Sequence, residues 1–162
     1  GAPVFNLHQV PFNTAHAKPL GDSEDLCWRL MLNNQEQVDV AVLSMGNPHA
    51  VLLVDNVDTA PVATIGPRVQ ASPRFPQGVN VGFLQVLSRT ETRLRTWERN
   101  AGQTLACGSN NCAAIVAAAR RNLTDRKALV HNDGGDIEIE WSEATDHVIM
   151  TGPIELEYVS EG

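Results

Sequence analysis

The sequence predicts an α+β fold in which mostly antiparallel strands curl around one buried central helix. Two observations predict it. Apolar runs of strand length recur along most of the chain and are separated by turn residues. Residues 112–119 are different, because they are rich in alanine and apolar on every face. A helix of that kind is buried all round, so the strands are expected to surround it.

The strands are predicted where apolar residues run together or alternate between turn signals. They cover residues 37–43, 50–54, 79–86, 92–97 and 137–141. In the last of these, Ile137, Ile139 and Trp141 alternate with glutamates, which indicates a strand with one face in water. The Asp-Gly-Gly sequence at 133–135 favours a hairpin turn before it.

Two helices are predicted. Asp58 is expected to cap a short helix that runs to about Gln70, with Pro67 in its middle. The alanine-rich helix is followed by two arginines, which suit its negative C-terminal end, and by Asn122 as the C-cap.

Composition limits the class of protein. A chain of 162 residues that is 43% hydrophobic predicts a single domain over residues 1–162, without repeats or linkers. The formal charge of −7 and the lack of a basic stripe argue against nucleic acid, and no apolar stretch is long enough for a membrane span. Three cysteines without CxxC spacing argue against a disulfide framework and against a zinc site. We therefore expect a cytoplasmic protein.

Cys107 is the strongest candidate for chemistry. It precedes Gly108 and Ser109 at the predicted start of the buried helix. Unpaired N–H groups and the positive end of the helix dipole favour a thiolate there, and the same N–H groups can hold a carboxylate. The alternative, that a cysteine is a small buried hydrophobe, is our interpretation of Cys27 and Cys112.

Other polar residues interrupt the apolar pattern. Asn80 lies within an apolar run. A functional role and a structural role, as an amide with satisfied hydrogen bonds, are equally good interpretations of it. Asn47 and His49 lie at a break between two strands, where side chains can serve a functional cleft. The ordinary interpretation is that Asn47 belongs to a turn and that His49 is structural. Glu98 and Arg99 end a strand, where a surface ion pair is the ordinary explanation. They serve one pocket only if the backbone bends after them.

Several motifs together resemble diaminopimelate epimerase. They are MGNPH at residues 45–49, RFP at 74–76, VNVGF at 79–83, WERNAGQTLACGS at 97–109 and MTGP at 150–153. The likeness extends in order along nearly the whole chain. Members of the family have two similar lobes with the substrate in the cleft between them, and this chain resembles the second, C-terminal lobe.

The resemblance implies an isomerase that interconverts L,L- and meso-diaminopimelate by proton transfer between two thiols, in the synthesis of lysine and peptidoglycan precursors. It implies no cofactor and no metal. Cys107 would be one thiol, and the other would come from the first lobe. His49 and Glu98 would assist the proton transfer or contact the reacting amino acid.

The substrate contacts are implied in the same way. Asn47, Asn80 and Arg99 would hold the distal end of a small amino-acid substrate. The N–H groups of Gly108 and Ser109 would bind the reacting carboxylate. The implied partner is the first lobe, without which we expect the chain to be inactive. Whether the chain forms a homodimer stays open.

The chain departs from the family pattern after Ser109. Asn110 and Asn111 stand where the family usually has Gly and a small residue, and Asn100 and Gln103 stand where Gly and Glu are usual. Asn110 is expected either to narrow the carboxylate site or to supply a hydrogen bond of its own. Three alternatives remain: a racemase or isomerase of the same fold with another substrate, a non-catalytic binding protein, and, least favoured, a zinc module.

Overall fold

The computed structural model describes residues 2–5, 10, 12, 17–19, 28–32, 36–72, 74–98, 102–104, 108–133 and 135–151, with the backbone alone at 17–19 and 102–104. The element order is β1 (Ala17–Pro19), β2 (Trp28–Met31), β3 (Gln37–Ser44), β4 (Pro48–Leu53), α1 (Val62–Gln70), β5 (Asn80–Ser88), β6 (Glu91–Glu98), β7 (Gly102–Thr104), α2 (Gly108–Arg120), β8 (Lys127–Asn132), β9 (Gly135–Trp141) and β10 (Val148–Thr151). Within those ranges no helix is both long and apolar enough to cross a membrane.

The ten strands of the described residues form one sheet in the order β1-β2-β3-β4-β5-β6-β8-β9-β10, and β7 pairs with β6. Most neighbours are antiparallel, which confirms the predicted α+β class. Two pairs, β4 with β5 and β6 with β8, are parallel. A parallel pair needs a crossover connection, and each of these is crossed by one of the two helices.

The central helix α2 is confirmed, and it is longer than predicted. It is buried from Gly108 to Ala118 and contacts strands on every side of the curled sheet, from β3 to β10. Its C-terminus is closed by Asn122, which has a φ of 60°. The Leu123 N–H donates to the Ala118 carbonyl at 2.9 Å and the Asn122 N–H to the Ala119 carbonyl at 3.0 Å, as in a Schellman motif.

The prediction that Asp58 caps α1 was wrong. The helix begins after Pro61 and has no side-chain cap at its N-terminus. Asp58 instead accepts a hydrogen bond from Arg93 at 2.8 Å, and this bond holds the pKa of the carboxyl below its ordinary value. Pro61 is the N-cap residue, and its carbonyl accepts from the Ile65 N–H at 2.8 Å. The predicted end at Gln70 is confirmed, and Pro67 lies within the helix.

The two faces of the sheet carry separate cores. One core surrounds α2 and includes Leu43, Val51, Leu84 and Leu94. The other surrounds α1 and includes Val42, Ala50, Leu52, Val81 and Phe83. Successive residues of β3, β4 and β5 therefore alternate between the two helices, as the period of a strand requires. This alternation decides which polar side chains face α2.

Candidate functional site

The first turn of α2 is polar and buried. Ser109 is 9% exposed, Asn110 is 1% exposed and Asn111 is fully buried. Buried side-chain amides cost free energy unless hydrogen bonds satisfy them. The partners of this turn therefore define a built polar site inside an otherwise apolar core.

His49, on β4, is the centre of that site. Its ring is fully buried, and both ring nitrogens lie against amide groups. The Nδ1 atom is 2.8 Å from Asn110 Oδ1, and the Nε2 atom is 2.9 Å from Asn47 Oδ1. Asn47 in turn donates through Nδ2 to Ser109 Oγ at 3.5 Å. The β3–β4 connection is thus joined to the first turn of α2 through four side chains.

The tight turn before β4 places Asn47 in this cluster. Gly46 has a φ of 97°, a conformation that side chains disfavour, and its N–H donates to Ser44 Oγ at 3.1 Å. The Met45 N–H donates to the Asn47 carbonyl at 3.1 Å, so the turn is closed by its own backbone. Pro48 then begins β4 and directs His49 into the core.

The alternation along β4 explains why His49 faces α2. Val51 packs in the core around α2, whereas Ala50 and Leu52 pack around α1. His49 has the same parity as Val51 and therefore faces α2. Asn80 is its register partner on the parallel strand β5, and cross-strand partners lie on one face.

Asn80 and Glu98 face α2 by the same reasoning. Leu84 on β5 and Leu94 on β6 belong to the core around α2 and share parity with Asn80 and Glu98, respectively. Trp97, one residue earlier than Glu98, packs toward α1. Asn80 is 4% exposed, and Glu98 is half-buried.

The end of β6 is held by α1. Gln70 donates through Nε2 to the Glu98 carbonyl at 3.2 Å, and its Oε1 accepts from Trp97 Nε1 at 3.3 Å. Gly102 on β7 pairs with Glu98 across a short antiparallel ladder. The backbone that carries Glu98 is therefore fixed from both sides.

A second amide contact ties α2 to β8, and sequence reasoning did not find it. Asn132 donates through Nδ2 to Asn111 Oδ1 at 2.8 Å. Asn111 was singled out as a departure from the family pattern, but nothing in the sequence pairs it with Asn132. That pairing depends on the parallel placement of β8 beside β6.

Four residues named in the sequence analysis lie outside the described residues: Cys107, Arg99, Asn100 and Cys27. Cys112 forms no disulfide and is 2% exposed in the core around α2, which agrees with its prediction as a buried residue. In the ranges that the structure covers, no three His, Cys, Asp or Glu side chains are grouped so that they hold a metal ion.

The pKa shift of His131 arises away from this cluster. Its Nε2 lies 2.6 Å from Glu91 Oε2 and its Nδ1 lies 3.0 Å from Asp136 Oδ1. These two hydrogen bonds, with Glu91 the stronger cause, raise the pKa of the imidazole above its ordinary value. Arg93, the register partner of His131 on β6, is paired with Asp58 at 2.8 Å.

Known proteins resemble this chain closely in sequence. A profile of the diaminopimelate epimerase family matches residues 41–157. The chain is 50% identical over 157 residues to the diaminopimelate epimerase of Acidovorax ebreus (strain TPSY), which covers 94% of this chain and 54% of that protein. It is 52% identical over 153 residues to the diaminopimelate epimerase of Ectopseudomonas mendocina (strain ymp), with coverages of 94% and 52%. The chain spans about half the length of the curated relatives it matches.

The likeness to solved structures is weaker. A phenazine biosynthesis protein of the PhzF family from Enterococcus faecalis superposes with a TM-score of 0.47 at 15% identity. The match covers 60% of this chain and 35% of that chain. It is too distant to support an argument about function.

Proposed function

This chain belongs to the diaminopimelate epimerase family, and on that premise we propose that it carries one half of the catalytic site of an isomerase. The reaction would interconvert L,L- and meso-diaminopimelate, as the names of the relatives indicate, in the synthesis of lysine. The chain would correspond to the C-terminal lobe, and the opposing thiol would come from the first lobe. The observation that supports this most is the buried polar cluster of His49, Asn47, Ser109 and Asn110 at the N-terminus of α2.

Proton abstraction from the α-carbon of an amino acid is difficult, because the resulting carbanion lies beside a carboxylate. In the proposed step, the thiolate of Cys107 takes the α-proton from one face while a thiol on the opposite face donates a proton, which inverts the centre. The reverse reaction exchanges the two roles. No oxidant or reductant is consumed.

The helix terminus supplies the electrostatic stabilisation in this proposal. α2 begins at Gly108, so the N–H groups of Gly108 and Ser109 belong to its first turn and have no acceptor within the helix. Such N–H groups suit the reacting carboxylate and the negative charge that develops beside it. Because the turn is buried, water weakens the electrostatic interaction between these N–H groups and the carboxylate less.

The remaining groups would recognise the distal end of the substrate. Asn47 is half-buried and Asn80 is buried. Both side chains are amides, so they would offer the substrate hydrogen bonds without charge. Arg99 would add a planar fork that binds both oxygens of the distal carboxylate. Glu98 would assist proton transfer by contact with the reacting amino acid, and His49 would hold Asn47 in place.

Timed alkylation with peptide mapping tests the role of Cys107 in the folded chain. We expect iodoacetamide to label Cys107 well before Cys112, which is the matched control because it lies in the core of the helix that follows. Faster labelling of Cys112 or of Cys27 contradicts the assignment.

Exchange in deuterated water tests the reaction itself. We expect the chain alone not to interconvert the L,L and meso forms, and a mixture with the separately produced first lobe of a relative to incorporate deuterium with inversion. Cys107→Ser should abolish this activity, and Cys112→Ala should retain it. Inversion at an enzymatic rate by the chain alone shows that the second base has been misplaced. Activity of the mixture on a different amino acid only favours the related racemase instead.

A further inference from the structure

The hydrogen bonds around His49 contain a conflict of donors and acceptors. Both ring nitrogens lie against amide oxygens, Nδ1 against Asn110 Oδ1 and Nε2 against Asn47 Oδ1. A neutral imidazole has one donor and one acceptor, so it cannot donate to both. Either the ring is a buried cation, or one of the two amides presents its NH₂ group to the ring.

A buried cation is the less favourable solution. The ring of His49 is fully buried. The groups against its nitrogens are neutral amides, which offset the burial of a charge much less than a carboxylate does. The neutral ring then requires that one amide donates to it.

Asn110 is the amide that has a reason to turn. Both ends of the Asn47 amide already have partners in its present orientation, since its Nδ2 donates to Ser109 Oγ and its Oδ1 faces the ring. The Nδ2 atom of Asn110 is buried without a hydrogen-bond partner. A half-turn about the Cβ–Cγ bond exchanges its Nδ2 and Oδ1 with little change of shape. The buried NH₂ group then gains an acceptor, His49 Nδ1. The carbonyl oxygen moves to the place that has no partner, where it costs less free energy than an unpaired NH₂ group does.

We propose that Asn110 is a positioning residue that fixes the tautomer of His49. Asn110 Nδ2 donates to Nδ1, and the Nε2–H group donates to Asn47 Oδ1. Asn47 is the half-buried member of the cluster. With its Oδ1 bound to the ring, its Nδ2 donor group points away from the ring. A ligand group that meets Asn47 must then be an acceptor, such as a carboxylate. This last step rests on the proposed function, whereas the tautomer does not.

The tautomer is measured directly by long-range ¹H–¹⁵N correlation spectra of the chain labelled at histidine. We expect His49 to show an unprotonated Nδ1 and a protonated Nε2. A protonated Nδ1 in the wild-type chain overturns the proposal, whether the ring is the other tautomer or a cation.

Two matched variants separate positioning from a general effect of charge. Asn110→Asp leaves an acceptor only, so Nδ1 is expected to become protonated. Asn111→Asp adds the same carboxylate one residue later and still accepts from Asn132, so the His49 tautomer should not change. An equal response of His49 to both variants contradicts the proposal. If Asn110→Asp does not fold, the wild-type spectrum still decides.

The outcome is distinguishable from failure of the proposed function. If the tautomer follows Asn110 while the assembled protein does not act on diaminopimelate, the positioning role stands and the substrate is wrong. If epimerase activity is found but Nδ1 is protonated, the activity stands and the role of Asn110 falls.

Discussion

Replacement of Ile115 by alanine tests whether α2 is the centre of the fold. Ile115 lies near the middle of α2 and is fully buried in the core around the helix. Ile115→Ala removes three carbon atoms, which at about 0.8 kcal/mol per buried methylene is about 2.4 kcal/mol of transfer free energy. A cavity inside a well-packed core collapses incompletely, so the total loss is expected to be about 3–4 kcal/mol. The better helix propensity of alanine returns only a few tenths of a kcal/mol.

Urea denaturation monitored by circular dichroism measures this loss as a fall in the free energy of unfolding at constant slope. The matched control is Ile149→Ala, the same chemical change on β10, where the side chain is 49% exposed. Because about half of its surface already contacts water, we expect a loss of about 1 kcal/mol. If Ile115→Ala costs no more than Ile149→Ala, the helix is not packed as the structure has it and the reasoning about the site at its N-terminus fails with it.

Two further predictions concern the sheet and α1. The raised pKa of His131 means that its pairing with Glu91 and Asp136 stabilises the fold below about pH 6.5, the unfolded value, and that this contribution is lost as pH rises through the higher folded value. His131→Gln should therefore cost about 1 kcal/mol or less near pH 6 and less above it, and a cost that grows with pH contradicts this pairing. Gly66→Ala would place a Cβ atom 2.7 Å from Trp97 Cβ, so overpacking of about 1–3 kcal/mol should outweigh a helix-propensity gain of about 1 kcal/mol. A higher melting temperature for this variant shows that α1 yields more easily than the contact indicates.

The sequence predicts the central strands well because their patterns are local. Apolar runs place β3, β4, β5, β6 and β9 within a few residues of their observed bounds. The short strands β1, β7, β8 and β10 were not predicted. β8 alternates half-buried and buried residues over only six positions, which is too short a pattern to distinguish from a loop. The parallel pairs depend on crossovers through the helices, and no local pattern encodes them.

The start of α2 shows why the site was predicted only in part. The apolar pattern indicates a helix from Cys112, because Ser109, Asn110 and Asn111 resemble a polar loop. The helix begins at Gly108, and the side-chain oxygens of Asn110 and Asn111 meet partners on other elements. Sequence reasoning placed Asn47 and His49 in one turn, but it did not pair Asn110 with His49. That contact depends on how β4 packs against the helix.

The two amides of the first turn also explain how an alanine-rich helix finds one orientation. A helix that is apolar on every face presents a similar surface to the sheet at any rotation about its axis, so dispersion alone separates these rotations weakly. Asn110 meets His49 on β4, whereas Asn111 meets Asn132 on β8, and β5 and β6 lie between those strands. A rotation of the helix about its axis would separate both amides from these partners and leave buried polar groups without them. The polar residues that interrupt the apolar pattern therefore set the direction in which the first turn of α2 faces.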